Sequence, residues 1–160
     1  MTTERTKKKK FLIFAIVAVV VSAVLISGMP SYVRLMLTKG GAVSDGVLSN
    51  VNEHINYVPD GEVKFLINKN VVFENAFSLG EVMLENPQSC KYDLRFIFYS
   101  SDGKMIYSSP LISPGQCLEK DKLSTVIKPG EYKCSYSAQA YDNGNFQGEV
   151  TGAVTVRVGE

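Results

Sequence analysis

The segment "KYDLRFIFYS" (Lys91 to Ser100) constrains this chain more than any other. Its side chains alternate with a period of two, placing Tyr92, Leu94, Phe96 and Phe98 on one face. Asp93, Arg95, Ile97 and Tyr99 fall on the other. That period is incompatible with an amphipathic helix and specifies a strand with one buried face. "SSDG" follows it, a hairpin turn with glycine where positive φ is wanted, and "KMIYSSP" returns. The same grammar continues to the end of the chain. "QCLEKDKL", "EYKCSYSAQAY" and "EVTGAVTVRV" are short apolar or alternating runs separated by "KPG" and "DNGN". Strands at this spacing, with turns between them and no helical period, predict an all-β antiparallel sandwich.

One local cue orders the strands. In "IKPGEYKC" a Pro-Gly corner precedes a tyrosine placed two residues before a cysteine. Immunoglobulin-type sandwiches begin their penultimate strand in this way. On that order "EVMLENP" is strand B, "KYDLRFIFYS" is C and "KMIYSSP" is C′. "QCLEKDKL" is then E, "EYKCSYSAQAY" is F and "EVTGAVTVRV" is G. About 100 residues from Glu62 onward suffice for one such domain with a core, and not for two.

The amino-terminal part has another character. Residues 1–10 are a basic tail holding Arg5, Lys7, Lys8, Lys9 and Lys10, and residues 11–29, "FLIFAIVAVVVSAVLISGM", carry no charge. At 1.5 Å per residue this run reaches roughly 28 Å, enough to span a hydrocarbon core as a helix. The lysines before it outnumber the basic residues Arg34 and Lys39 after it. This asymmetry marks Lys7 to Lys10 as a topology signal that leaves the amino terminus cytoplasmic and the rest outside. A cleaved signal peptide is the competing reading, because "VSA" and "ISG" offer small residues at a cut. Residues 30–61 show no persistent period and read as a stalk, leaving 62–160 for the sandwich.

Charge excludes one class of partner. Beyond the first ten residues the chain holds 12 basic and 15 acidic residues, a net charge near −3. A domain so balanced is not built to grip nucleic acid. Chemistry finds no foothold either. His54, the single histidine, lies in the stalk without a Cys, Asp or Glu cluster around it, so no metal and no Ser–His–Asp site is expected. Asp93, Asp102, Asp121 and Asp142 are isolated acids at turns and exposed strand positions, read as solvated surface. No cofactor motif is present, and the chain is expected not to be an enzyme.

Cys90, Cys117 and Cys134 are the only cysteines. Strand B offers Met83 and Leu84 where an antibody domain has its cysteine, so Cys134 lacks that partner. In the assigned order Cys90 and Cys117 share one pole and Cys134 lies at the other, about 26 Å away along a strand of eight residues. An exported domain is able to oxidise, so a Cys90–Cys117 disulfide is expected, with Cys134 a buried thiol. The alternative, three unpaired thiols, stays open.

The outward face of C, F and G would show Arg95, Ile97, Tyr99, Ser135, Ser137, Gln139, Tyr141, Thr151, Thr155 and Arg157. Tyr, Ser and Arg on a rigid sheet suit contact with protein or glycan, and Arg95, Tyr99, Gln139, Tyr141 and Arg157 are the candidate partner surface. A merely solvated sheet face would look similar, since Thr, Tyr and Ile favour strands anyway.

From Gly80 to Val158 the chain resembles small envelope proteins of Gram-positive, Firmicutes-type bacteria. The shared features are an "ENP" turn, the "DGKMIYSS" hairpin, "ISPGQ" and an "L…PGEY" corner. The resemblance implies a single membrane anchor, an immunoglobulin-like exterior domain and an envelope location. It brings no catalytic or ligand residue. Two roles follow as expectations: a free-standing binder of an envelope protein or glycan, or a structural subunit of an envelope complex such as a mobile-element or secretion apparatus.

Overall fold

Alternating side chains in the carboxy-terminal half commit the chain to sheets, and the computed structural model shows them, describing residues 35, 39–48 and 63–160. The fold is all-β, with eleven strands among the described residues. They are β1 Ser44–Asp45, β2 Leu66–Ile67, β3 Asn70–Phe73, β4 Leu79–Gly80, β5 Leu84–Asn86, β6 Asp93–Tyr99, β7 Met105–Ser108, β8 Gln116–Leu118, β9 Asp121–Lys122, β10 Gly130–Asp142 and β11 Asn145–Val158. One sheet has the order β3-β11-β10-β6-β7 and a second the order β1-β8-β5-β2, with β4 and β9 forming a short ladder of their own. All pairs are antiparallel except β3 with β11. The neighbours expected for C, C′, F and G (β6, β7, β10 and β11) are neighbours here. So are those expected for B and E, as β5 with β8.

Local chemistry explains where the strands stop. Gly103 has φ 78° in the β6–β7 turn, and Asn143 and Gly144 have φ 50° and 80° in the β10–β11 turn. An Asn-Gly pair with both φ positive is the hairpin connection whose twist matches its strands. Met83, at φ 44°, interrupts strand B and separates β4 from β5. At the crossing from β2 to β3 the Asn68 side chain accepts from the Asn70 amide at 2.9 Å and donates to the Glu81 carbonyl at 2.8 Å.

The inward sides of both sheets meet in one core. Leu94, Phe96 and Phe98 of β6 lie with Tyr136, Ala138 and Ala140 of β10 and Val154, Val156 and Val158 of β11, against Ile67, Leu84 and Leu118 of the other sheet and Phe65 just before β2. Phe65 stands edge-on to Phe96 at 5.3 Å and to Tyr136 at 6.0 Å, joining the two layers. Each such fully buried aromatic contributes about 1.5–3 kcal/mol from burial alone. Gly152 is part of the same packing, since a Cβ there would stand 2.6 Å from the Tyr136 ring.

The amino-terminal boundary differs from the expected one. The compact unit runs Leu35–Glu160, so the domain does not begin at Glu62. Ser44 and Asp45 pair with Cys117 and Gln116, extending the second sheet beyond β8. Leu35 and Leu48 are buried. Residues 39–48, expected in the stalk, are a strap bound to the domain. The reason is hydrogen bonding rather than periodicity: Gly41 N donates to Asp121 Oδ1 at 2.9 Å and Leu48 N to Glu85 Oε2 at 2.7 Å. The expected anchor at 11–29, the signal Lys7 to Lys10, and His54 lie outside the described residues. Among the described residues no helix is long and apolar enough to cross a membrane.

Candidate functional face

The outer surface of the five-stranded sheet is built by register. Arg95 stands across from Gln139, which stands across from Glu149; Ile97, Ser137 and Thr151 form the next row, and Tyr99, Ser135 and Ala153 the one after. Thr155 pairs with Lys133 and Arg157 with Glu131 further along. Because the intervening residues are core, all ten residues expected on this face do lie on it. They are not equally available. Ile97 and Ser137 are 9% and 4% exposed, whereas Arg95, Tyr99, Gln139 and Tyr141 are half-buried and Ser135, Thr151 and Arg157 are exposed.

The structure brings together only some of the five candidate contact residues. Arg95, Gln139 and Tyr141 form one cluster. The Arg95 guanidinium carbon lies 5.6 Å from the centre of the Tyr141 ring, and the Tyr141 hydroxyl donates to Gln139 Oε1 at 2.7 Å. Ser137 Oγ donates to Glu149 Oε2 at 2.6 Å on the adjoining strand. Arg95 Nε is buried and has no acceptor. Tyr99 is four residues further along β6, roughly 13 Å at the strand rise. Arg157 belongs to the far end, where it and Lys133 hold Glu131 at 2.8 Å and 3.0 Å. The Arg157 guanidinium, then Lys133, draws the Glu131 carboxyl below its ordinary range. These are exposed pairs of little energetic weight, and they leave Arg157 already matched.

Phe146 completes the cluster and lies outside the residues expected on this face. Between Ala140 and Tyr141 the β10–β11 register shifts, so that Ala140 faces Gly148 while Tyr141 faces Phe146. The Tyr141 and Phe146 rings meet edge-to-face at 5.9 Å, with Phe146 still 56% exposed. The sequence signal is "DNGNF", but the run "EVTGAVTVRV" that marks strand G starts at Glu149, beyond the bulge.

Elsewhere the chemistry is structural. The Tyr132 hydroxyl donates to the Lys128 carbonyl at 2.8 Å, closing the corner that "KPGEY" announced. Asn86, fully buried, donates from its amide to the carbonyls of Tyr92 and Ile112 at 2.8 Å and 2.7 Å, which fixes the "ENP" turn. Among the described residues no three His, Cys, Asp or Glu side chains converge as a metal site would require. The Cys90–Cys117 disulfide is not formed; all three cysteines are buried free thiols. Cys90 belongs to the core cluster, while Cys117, between core-facing Leu118 and its cross-strand partner Glu85, turns away from it to place Sγ 3.6 Å from Ser44 Oγ. Cys90 Sγ lies 3.6 Å from the Tyr92 carbonyl in the β5–β6 connection instead. Burial raises the Cys90 and Cys134 thiol pKa values, opposing the reactive thiolate.

No family model, no curated protein and no solved structure matches this chain.

Proposed function

We propose that this chain is a membrane-anchored, extracytoplasmic protein whose immunoglobulin-like β-sandwich works by non-covalent contact with another envelope protein. The contact surface is the outer face of β6, β10 and β11. The observation that carries this reading is the Arg95–Gln139–Tyr141–Phe146 cluster, a cation and two aromatic rings laid on a sheet whose other side is core. Aromatic residues and arginine dominate the energetics of protein contacts, and a rigid support lowers the entropy lost on association. The immunoglobulin-like assignment rests on the order β3-β11-β10-β6-β7, on the β5–β8 pair opposite it, and on the Tyr132 corner. The anchor and the exterior location rest on the apolar run 11–29 and on Lys7 to Lys10.

A photoreactive phenylalanine analogue at Ser135, exposed on the proposed face, tests the reading in cells. The same group at Glu119, exposed beyond β8, serves as the reference. A discrete adduct from position 135 and none from 119 is the expected outcome. Equal labelling from both positions, or none from 135, overturns it.

A further inference from the structure

We propose that the partner supplies a carboxylate at this face: an acidic side chain of an extended peptide segment, followed two residues later by an apolar one. Arg95 and Gln139 would take the acid, and Phe146, backed by Tyr141, the apolar residue. This rests on the reading of the face as a partner surface and names the chemistry of what it meets.

The first argument is an unmet demand. Arg157, Lys133 and Lys120 each have a carboxylate within ion-pair distance, whereas Arg95 has none among the described residues. Its Nε–H is buried without an acceptor at a cost to stability, so the part of the half-buried side chain open to a partner is the outer end of the guanidinium. Directly across the strand pair, Gln139 has its carbonyl oxygen engaged by the Tyr141 hydroxyl. The end of that amide left over is its NH2, so two neighbouring strands offer donors with no acceptor between them. A planar carboxylate matches such a paired set of N–H donors.

The surroundings choose among anions. Asp93 precedes Arg95 on the same face of β6, and Glu149 stands across from Gln139. Two carboxylates at the margins repel a phosphate dianion more strongly than a single carboxylate. The rings then choose among carriers. Phe146 is largely exposed next to the cation, so a ligand gains by offering an apolar group close to its acid. Alternate side chains of an extended peptide stand about 6.6 Å apart. That spacing fits within the span from the guanidinium across the Tyr141 ring to Phe146, which is made of contacts of 5.6 Å and 5.9 Å.

The test uses the full-length chain, 15N-labelled, and follows the Arg95 Nε–H and Gln139 side-chain amide resonances. The probe is the peptide acetyl-Thr-Glu-Thr-Leu-Thr-amide, with counterparts carrying Gln or phosphoserine in place of Glu. Saturable shifts of both resonances by the Glu peptide are expected, with affinity at least tenfold lower for the Gln peptide. Arg95→Gln should abolish them. Gln139→Glu, which places a carboxylate beside Arg95 within the chain, should abolish them too, and keeps the test decisive if Arg95→Gln fails to fold. Equal binding of the Gln peptide, tighter binding of the phosphoserine peptide, or no shift at millimolar concentration overturns the carboxylate. If the adduct from position 135 persists while the peptides fail, only the carboxylate falls; if both fail, the face falls with it.

Discussion

The Gly41 amide donates to Asp121 Oδ1 at 2.9 Å, closing a contact between residues 80 apart in sequence. The same buried carboxylate accepts from the Lys122 amide at 2.8 Å and, through Oδ2, from the Tyr107 hydroxyl at 3.2 Å. Gly41 is held so closely that a Cβ there would collide with the Lys120 carbonyl. Asp121→Ala strands a buried hydroxyl and frees one end of the strap, so a loss of about 2–4 kcal/mol is expected. Gly41→Ala should release the strap at smaller cost and remove protection of the Leu48 amide, which Glu85 holds at 2.7 Å. Urea titration and hydrogen exchange check both. A loss under about 0.5 kcal/mol for Asp121→Ala would mean that the strap is not held through this residue.

Tyr107 gives the fold a dependence on high pH. Burial, then the Asp121 carboxylate beside it, pushes its hydroxyl well above the ordinary tyrosine range. A folded pKa above the unfolded one means that its contribution is complete below the unfolded value, about 10, and is lost as pH rises beyond it. Tyr107→Phe should cost about 1–2 kcal/mol at pH 7, where Asp121 loses a donor. Above pH 10 the parent chain should lose stability faster than the variant, by a slope approaching about 1.4 kcal/mol per pH unit. Denaturation at pH 7, 10 and 11 measures the gap between the two. A gap that stays constant through pH 11 contradicts the buried contact.

Three buried thiols predict slow chemistry. Alkylation of the native protein should label none of Cys90, Cys117 and Cys134 on the timescale that labels all three after denaturation without reductant. Peptide mapping that finds a linkage between any two of them would contradict three free thiols.

How much was legible in the sequence follows from what kind of force holds each part. The β6 alternation, the "DNGN" hairpin and the Tyr132 corner are written in local periodicity and turn chemistry, and they fixed the neighbours of β6, β7, β10 and β11. The strap was not legible. Nothing in "KGGAVSDGVL" is periodic, and it becomes structure through Asp121 and Glu85, which are distant in sequence. The cysteine expectation placed Cys90 and Cys117 at the same pole but could not read the sheet side of Cys117, which depends on one residue of register. Phe146 was hidden for the same reason: the extra residue Gln147 in the β10–β11 ladder decides what stands opposite Tyr141.

Replacing Tyr99 and Tyr141 together by alanine tests the central claim most directly. Both are half-buried on the outer face and neither belongs to the core cluster, so the double variant should keep the parent's cooperative unfolding. Recovery of the cross-linked partner from cells should nevertheless fall about tenfold or more, equivalent to about 1.4 kcal/mol of association. A folded double variant that captures the partner as well as the parent chain does would contradict the account, and this face would then be solvated sheet.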